Sequence, residues 1–473
     1  MYFDSRMPMR VSRRAMLRRL GGGLGGIALA SMLPELSGIT WGADSLTAAV
    51  GGPLAPKAPH FAPKAKQVIF LFMNGGPSHV DTFDPKPALA KYNGQDPPEA
   101  MTKKVTRKGK LMQSPFKTIP CGDSGIEITE LFPEISKCID DLCIIRSMHA
   151  DSPQHERALL FMNSGNIQPI RPSLGSWVTY GLGTENQNLP GFIVMCPGKP
   201  VVGPQLWSNS FLPAVYQGTH INNSSLDSGS PLHFLHNTVE SAADQRRELD
   251  LLQEMNRLHH EQAGPDTQLE ARIASLEIAF RMQTEATEAF DLKREPANVR
   301  ADYGSGEFAD ACLIARRLAE RGVRITQIYY GNNQPWDDHK DITLHRDHAS
   351  KSDRPIAALL RDLKSRGVLD ETLVIWGGEF GRTPTSEGEK GRDHHSNGFS
   401  MWLAGGGVKG GLAYGATDEL GIEAVENRVH VHDLHATILH LLGFDHTRLT
   451  YRYSGRDFRL TDVHGQVVRD IIA

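Results

Sequence analysis

Residues 68–87 read VIFLFMNGGPSHVDTFDPKP, and the rest of the chain is organised around them. The stretch opens with six apolar residues, Val68–Met73. That is the length and composition of a strand buried on both faces of a parallel sheet. Asn74-Gly75-Gly76-Pro77 cannot extend a strand and must turn. Ser78, His79, Asp81 and Asp84 follow at once. A hydroxyl, an imidazole and two carboxylates therefore stand just beyond the carboxyl end of a buried strand, where open α/β sheets bind their ligands.

The same pattern recurs downstream. Apolar strands are expected at Leu142–Ile145, Gly191–Met195, Val323–Tyr330, Leu373–Trp376 and Phe399–Leu403. Helical spacing marks Ile128–Ile139, Ala158–Gly165, Glu307–Glu320 and Ile356–Leu363, the last with Pro355 in its first turn. A final helix is expected to end at Leu442, with Asp433 as N-cap and Gly443 as its stop. Ala243–Gln262 and Asp266–Leu292 flank Gly264-Pro265, which predicts a helical hairpin inserted over residues 243–292. The alternation argues for an α/β fold, a mostly parallel, doubly wound sheet flanked by helices.

Around this core the chain divides simply. Residues 1–49 carry Ser12-Arg13-Arg14-Ala15-Met16-Leu17, similar to a twin-arginine export motif, followed by the Gly-rich apolar run Leu20–Leu33. That run is too short to span a bilayer of ~30 Å. Residues 50–66 are a linker rich in Pro, Ala and Lys, and 67–473 form the α/β domain. The expected location is periplasmic or secreted, with the twin-arginine translocase as a partner during export. The formal net charge of -4 offers no basic footprint, so nucleic acid is excluded as a partner. The five cysteines form no C-x-x-C pair, and their odd number leaves at least one free within a monomer. Lys103-Lys104 and Arg107-Lys108 read as a solvated surface run.

The chemistry lies in the repetition. Four strands, ending near Met73, Ile145, Tyr330 and Trp376, are followed by Ser78/His79/Asp81, Asp151/Ser152/His155, Asp337/His339 and Glu379/His394. In a parallel sheet these loops leave the same edge and can converge. Any one cluster is as easily explained by turn-forming Asp and Ser with surface histidines. Four at equivalent strand ends are not. Mixed imidazole and carboxylate donors suit zinc, manganese or iron better than an all-oxygen calcium cage. One or two divalent ions are expected, with zinc, manganese and calcium left open.

The motifs GGPSHVDTFDPKP, WDDHKD, GGEFGRTP followed by GRDHH, and HDLHATILHLLG resemble the domain-of-unknown-function family DUF1501, from Val68 to the C-terminus. That family looks like a branch of the alkaline phosphatase–sulfatase superfamily. The resemblance implies an alkaline phosphatase-like fold and a metal-dependent hydrolase site. It implies Asn74 at the position of an acidic ligand, with Asp81 supplying the charge. It implies Glu379 as the later acidic ligand, and Asp337, His339 and His394 as ligands of a second ion. His79 joins the metal set as a member of the Ser78/His79/Asp81 cluster, and Arg382 would grip an anionic oxygen. The sulfatase C/S-x-P-S-R motif maps onto Asp151–Arg157, where Ser152 is the nearest hydroxyl and His155 is either catalytic or a ligand. A phosphomonoesterase using Ser152 and direct attack by water both stay open.

The resulting expectation is an exported metal-dependent hydrolase of sulfate or phosphate esters, with an anionic ester such as a sulfated polysaccharide as substrate. The alternative is a catalytically degenerate binding or scaffold protein on the same fold, favoured by Asn74 and by the incomplete nucleophile motif.

Overall fold

A computed structural model describes residues 53–99, 109–168, 170–224, 241–263, 277 and 288–473. The leader motif, the basic run at 103–108 and most of the second arm of the expected helical hairpin lie outside the described residues. The first arm is present as a helix, Ala242–Ala263. Among the described residues no helix is long and apolar enough to cross a membrane.

The centre is a nine-stranded sheet. Its strands are β1 (Gln67–Phe72), β2 (Leu142–His149), β3 (Phe192–Met195), β4 (Thr219–Ile221), β5 (Ile325–Tyr329) and β6 (Thr372–Gly377). A two-stranded hairpin outside the sheet follows, β7 (Gly381–Glu387) and β8 (Gly391–His395). The sheet is completed by β9 (Phe399–Ala404), β10 (Leu412–Tyr414) and β11 (Val429–His430). The order is β10-β2-β9-β6-β1-β5-β3-β4, with β11 also pairing β2. β1 lies in the middle, parallel to β5 and β6, and every one of its residues is buried. Its unbroken apolar run is what a strand covered on both faces requires.

Helices α1 (His155–Ser164), α2 (Leu174–Leu182), α3 (Ala242–Ala263), α4 (Ala297–Tyr303), α5 (Glu307–Glu320), α6 (His345–Ser365) and α7 (Val431–Leu441) fill the connections. Both faces of the sheet are covered. Asn163 of α1 accepts hydrogen bonds from Gln327 and Tyr329. Tyr330, the next residue, meets Phe308 of α5 instead, and successive strand residues face opposite ways.

β9 departs from the parallel rule. It runs antiparallel to both β6 and β2. The connection from β6 contains no helix, only the β7–β8 hairpin, and without a crossover the chain must return antiparallel. The hairpin therefore sits at the carboxyl edge of β6, the edge where the loops after β1, β2 and β5 also emerge.

Three local expectations are corrected. Ile128–Ile139 is not one helix. A strand at Ile126–Thr129 gives way to a 3-10 helix at Ile135–Asp141, because Pro133 interrupts the helical pattern. Helix α6 starts ten residues before Pro355, which is interior rather than in the first turn. In α7 the N-cap is His430, and Asp433 is the third helical residue, accepting from the His430 backbone N–H at 2.9 Å. Gly443 follows that helix at φ +85°, as a helix stop does. All five cysteines are buried thiols.

Candidate metal centre

The site begins where β1 stops. Gly75 turns the chain at φ +112°. A Cβ there would lie 2.7 Å from the backbone nitrogens of both Trp336 and Asp337. The loop after β1 thus lies directly on the loop after β5, a contact that only glycine allows. Gly75→Ala is expected to destabilise the protein by about 1–3 kcal/mol and to displace Asp337. A melting temperature unchanged from wild type would contradict this.

Four ligand atoms from His155, Asp337, His339 and His394 lie within 4.8 Å of one another. His155 opens α1, Asp337 and His339 come from the loop after β5, and His394 stands on β8. Asp337 Oδ1 is the hub: His339 Nε2 is at 2.8 Å, His394 Nε2 at 3.1 Å and His155 Nε2 at 3.2 Å. The Nε2 atoms of His339 and His394 are 2.8 Å apart. Loops separated by more than two hundred residues of sequence therefore meet at one point.

Hydrogen bonding orients two of the rings. Glu379 is a carboxylate and can only accept, so His155 Nδ1–H donates to its Oε1 at 2.7 Å. The same Oε1 takes the Gly75 backbone N–H at 3.0 Å. His155 Nε2 is left facing the cluster, buried and 3.2 Å from Asp337 Oδ1 but without the geometry of a hydrogen bond. On the other side His339 Nδ1–H donates to Glu387, which leaves His339 Nε2 facing the same centre. His339 also forms a second candidate group with Glu387 and Asp393.

The electrostatics call for positive charge at this point. Burial disfavours a charged Asp337, but the neighbouring His155, His394 and Arg382 outweigh it and hold the carboxyl well below its usual range. Burial likewise opposes charge on His155, yet Asp337 and Glu379 push its pKa up to about 9. A proton or a metal ion answers the same demand. Three imidazole nitrogens and one carboxylate oxygen, with His155 Nε2 orphaned, fit a transition-metal ion such as zinc. Asn74, at the end of β1, adds a second buried and unpartnered acceptor, its Oδ1.

Other expected site residues do different work. Glu379 stands outside the four-atom group and holds His155 and Gly75 in place. Arg382 is fully buried. Its guanidinium donates to the carbonyl oxygens of Gly75, Gly76, Trp336 and Arg392 and to Asp337 Oδ1. Its remaining Nη1–H meets His339 Nε2 at 3.4 Å, so Arg382 knits three loops together and only that one N–H would be released by an ion on His339. Asp81 lies outside the four-atom group. It is locked in a buried, two-pronged pair with Arg392, at 2.6 and 3.2 Å, and also accepts from Ser78 Oγ. His79 Nε2 donates to the Gly421 carbonyl, and its ring stacks on His395. Burial, then the neighbouring His395, lowers the His79 pKa to about 3.

Ser152 also lies apart from the four-atom group. Its Oγ accepts the Gln154 N–H. It lines a separate cavity of about 240 Å³ with Asp151, Arg157 and His432, and none of the four cluster residues lines that cavity.

Sequence reasoning missed Glu387, Asp393 and the buried pair His345–Asp338. His345 Nδ1–H donates to Asp338 at 2.7 Å, and its Nε2 accepts the Ser78 N–H. Asp393 adjoins His394 in the GRDHH motif and was in reach. Glu387 was not, since its place depends on the hairpin register that pairs Gly391 with Glu387 and His394 with Arg382.

No curated protein matches the chain. Among solved structures it is similar to Ps i-CgsB, at 11% identity and a TM-score of 0.37, covering 80% of this chain and 72% of that one. The lipoteichoic acid synthase LtaP from Listeria monocytogenes gives 8% identity and 0.35, covering 91% and 80%. A protein in the alkaline phosphatase superfamily from Vibrio parahaemolyticus gives 9% and 0.34, covering 89% and 75%. Likeness this weak assigns no role to any residue here. The family model is another matter: it spans residues 65–472, nearly the whole chain, and the protein belongs to the family described as protein of unknown function (DUF1501).

Proposed function

We propose that this protein is an exported metal-dependent hydrolase of sulfate or phosphate esters, with esters of anionic polysaccharides as the first substrates to try. The observation that carries the reading is the convergence of His155, Asp337, His339 and His394 within 4.8 Å at the carboxyl edge of the sheet. These four residues would hold a divalent ion, with Asn74 Oδ1 as a further donor. When bound, such an ion supplies Lewis acidity toward an ester oxygen. The chain's own residues prepare for it. Glu379 and Glu387 fix which nitrogen of His155 and of His339 carries the proton, so that the other faces the centre. Arg382 holds Asp337 ionised and in position. Asp337, His339 and His394 are partly exposed, which leaves the centre open to solvent on one side.

A specific observation favours a second reading, a binding or scaffold protein with a structural ion. No hydroxyl stands among the four cluster residues, and Arg382 is engaged with four backbone carbonyls and Asp337. A panel of aryl sulfates and aryl phosphates, run with added zinc, manganese or calcium, distinguishes the two. The hydrolase reading expects sustained turnover that falls at least about a hundredfold in His394→Ala, as loss of a directly ligating group should exceed loss of its support. A protein that binds metal but turns over nothing in the panel would leave the scaffold reading. Ser152→Ala is expected to keep full activity, because Ser152 faces another cavity.

A further inference from the structure

A second site stands at the same edge of the sheet. Beyond the ends of β3, β4 and β5 lies a cavity of about 430 Å³ whose walls are predominantly apolar. Small-molecule sites occupy roughly 300–1,000 Å³ and combine apolar walls with a few placed polar groups. The rings of Phe308 and Tyr330 and the face of Pro335 form the apolar part. Ser305, His348 and the solvent-exposed Glu307 also line it, and three further polar elements bear on a ligand. One is the first turn of α5, residues 307–309, whose N-cap Gly306 provides no side-chain hydrogen bond. Helix-start N–H groups without a cap favour an anion. Another is Lys351 at the rim, which shares its charge with Asp347 at 2.7 Å. The third is Asn223, 2% exposed. Its Nδ2 donates to the Glu307 carbonyl at 3.1 Å. Its Oδ1 is buried and has no hydrogen-bond partner.

An orphaned acceptor asks for a donor, and an uncapped helix start asks for an anion. Aromatic and proline walls ask for a flat apolar body. We propose that this cavity binds a small aromatic carboxylate that also carries a hydrogen-bond donor. Its carboxylate takes the first-turn N–H groups of α5 and Lys351, its ring lies against Phe308 and Tyr330, and its donor reaches Asn223 Oδ1. The site does not depend on an ion at the His155–His394 cluster. Trp336, fully buried between Tyr330 and His345, stands in the connection between them.

Calorimetric titration of the full chain with four probes tests this. They are 4-hydroxyphenylacetate, phenylacetate, 4-hydroxyphenylacetamide and inorganic phosphate. The first is expected to bind one-to-one. Phenylacetate, lacking the donor, should bind about five- to tenfold more weakly, the worth of one hydrogen bond. The amide and inorganic phosphate should be weaker still. Asn223→Leu should bring the two acids to equal affinity, and Lys351→Met, on the surface, should weaken both alike. No saturable binding of 4-hydroxyphenylacetate at millimolar concentration would overturn the proposal. So would equal binding of inorganic phosphate, which would mean an anion site alone. If Asn223→Leu fails to fold, the probe series and Lys351→Met still decide the matter.

Discussion

Asp81→Ala is expected to destabilise the protein by about 3–5 kcal/mol, the loss that follows when one partner of a buried ion pair is removed. Asp81 and Arg392 are both 0% exposed, so the alanine would strand a guanidinium away from water. Arg392 keeps hydrogen bonds to the Thr383 and Met112 carbonyls, but these do not balance its charge. Asp81→Ala with Arg392→Met should recover much of the loss, since an apolar replacement of a whole pair is far milder than half a pair. Burial alone would raise the Asp81 pKa, but Arg392 and Ser78 prevail and lower it below the ordinary value. Its contribution is therefore present above the unfolded pKa of roughly 3.9 and is lost as pH falls through the lower folded pKa. Wild type should lose stability more steeply with acid than the double variant. Urea midpoints across pH measure this. A loss under about 1 kcal/mol would mean that the pair is not buried as described. If folded Asp81→Ala lost its metal in proportion, the ligand role first expected for Asp81 would return.

Asp81 also marks where sequence reading stops. Six of the nine sheet strands were legible, because short apolar runs such as Val68–Met73 and Leu373–Trp376, each followed by glycines, admit little else. The three-residue β4 and β10 and the two-residue β11 leave no such run. The chemistry-bearing loops after β1, β2, β5 and β6 were legible as places, since polar groups recurring after buried strands share an edge once the strands run parallel. Partnership was not legible. Asp81 and His394 look alike as ligands in a string of letters, yet Asp81 is consumed by Arg392, 311 residues away. That outcome depends on the β7–β8 hairpin, whose register no local propensity specifies. Arg382 reads as an anion grip until the carbonyls around it are counted. Glu379 reads as a ligand because a carboxylate touching a metal and one touching the metal's histidine differ by a single imidazole. The start of α6 was missed because Pro355 has a strong local preference for a first turn, which the buried face of the longer helix overrides.

Glu379→Gln should lower metal affinity about ten- to a hundredfold, the range found when the group supporting a ligating histidine is removed, although Glu379 is not itself in the four-atom group. The reason is the proton on His155. Glu379 only accepts, so Nδ1 must carry the hydrogen and Nε2 is free to bind. Glutamine at 379 can turn its oxygen to the Gly75 N–H and its NH₂ toward His155. Nδ1 then becomes the acceptor, and the hydrogen moves to Nε2, where it faces Asp337 and blocks coordination. The fold should tolerate the change, because the amide satisfies both former partners. His394→Ala removes a ligating atom outright and should lose more. Elemental analysis after gentle purification, followed by titration of cobalt(II) into metal-free protein, gives the order wild type, Glu379→Gln, His394→Ala. Cobalt absorption typical of a nitrogen-rich four-coordinate site should appear in wild type and fade in the same order. Unchanged affinity in Glu379→Gln would mean that His155 is not oriented by Glu379. Unchanged affinity in His394→Ala as well would remove the metal centre, and with it the hydrolase.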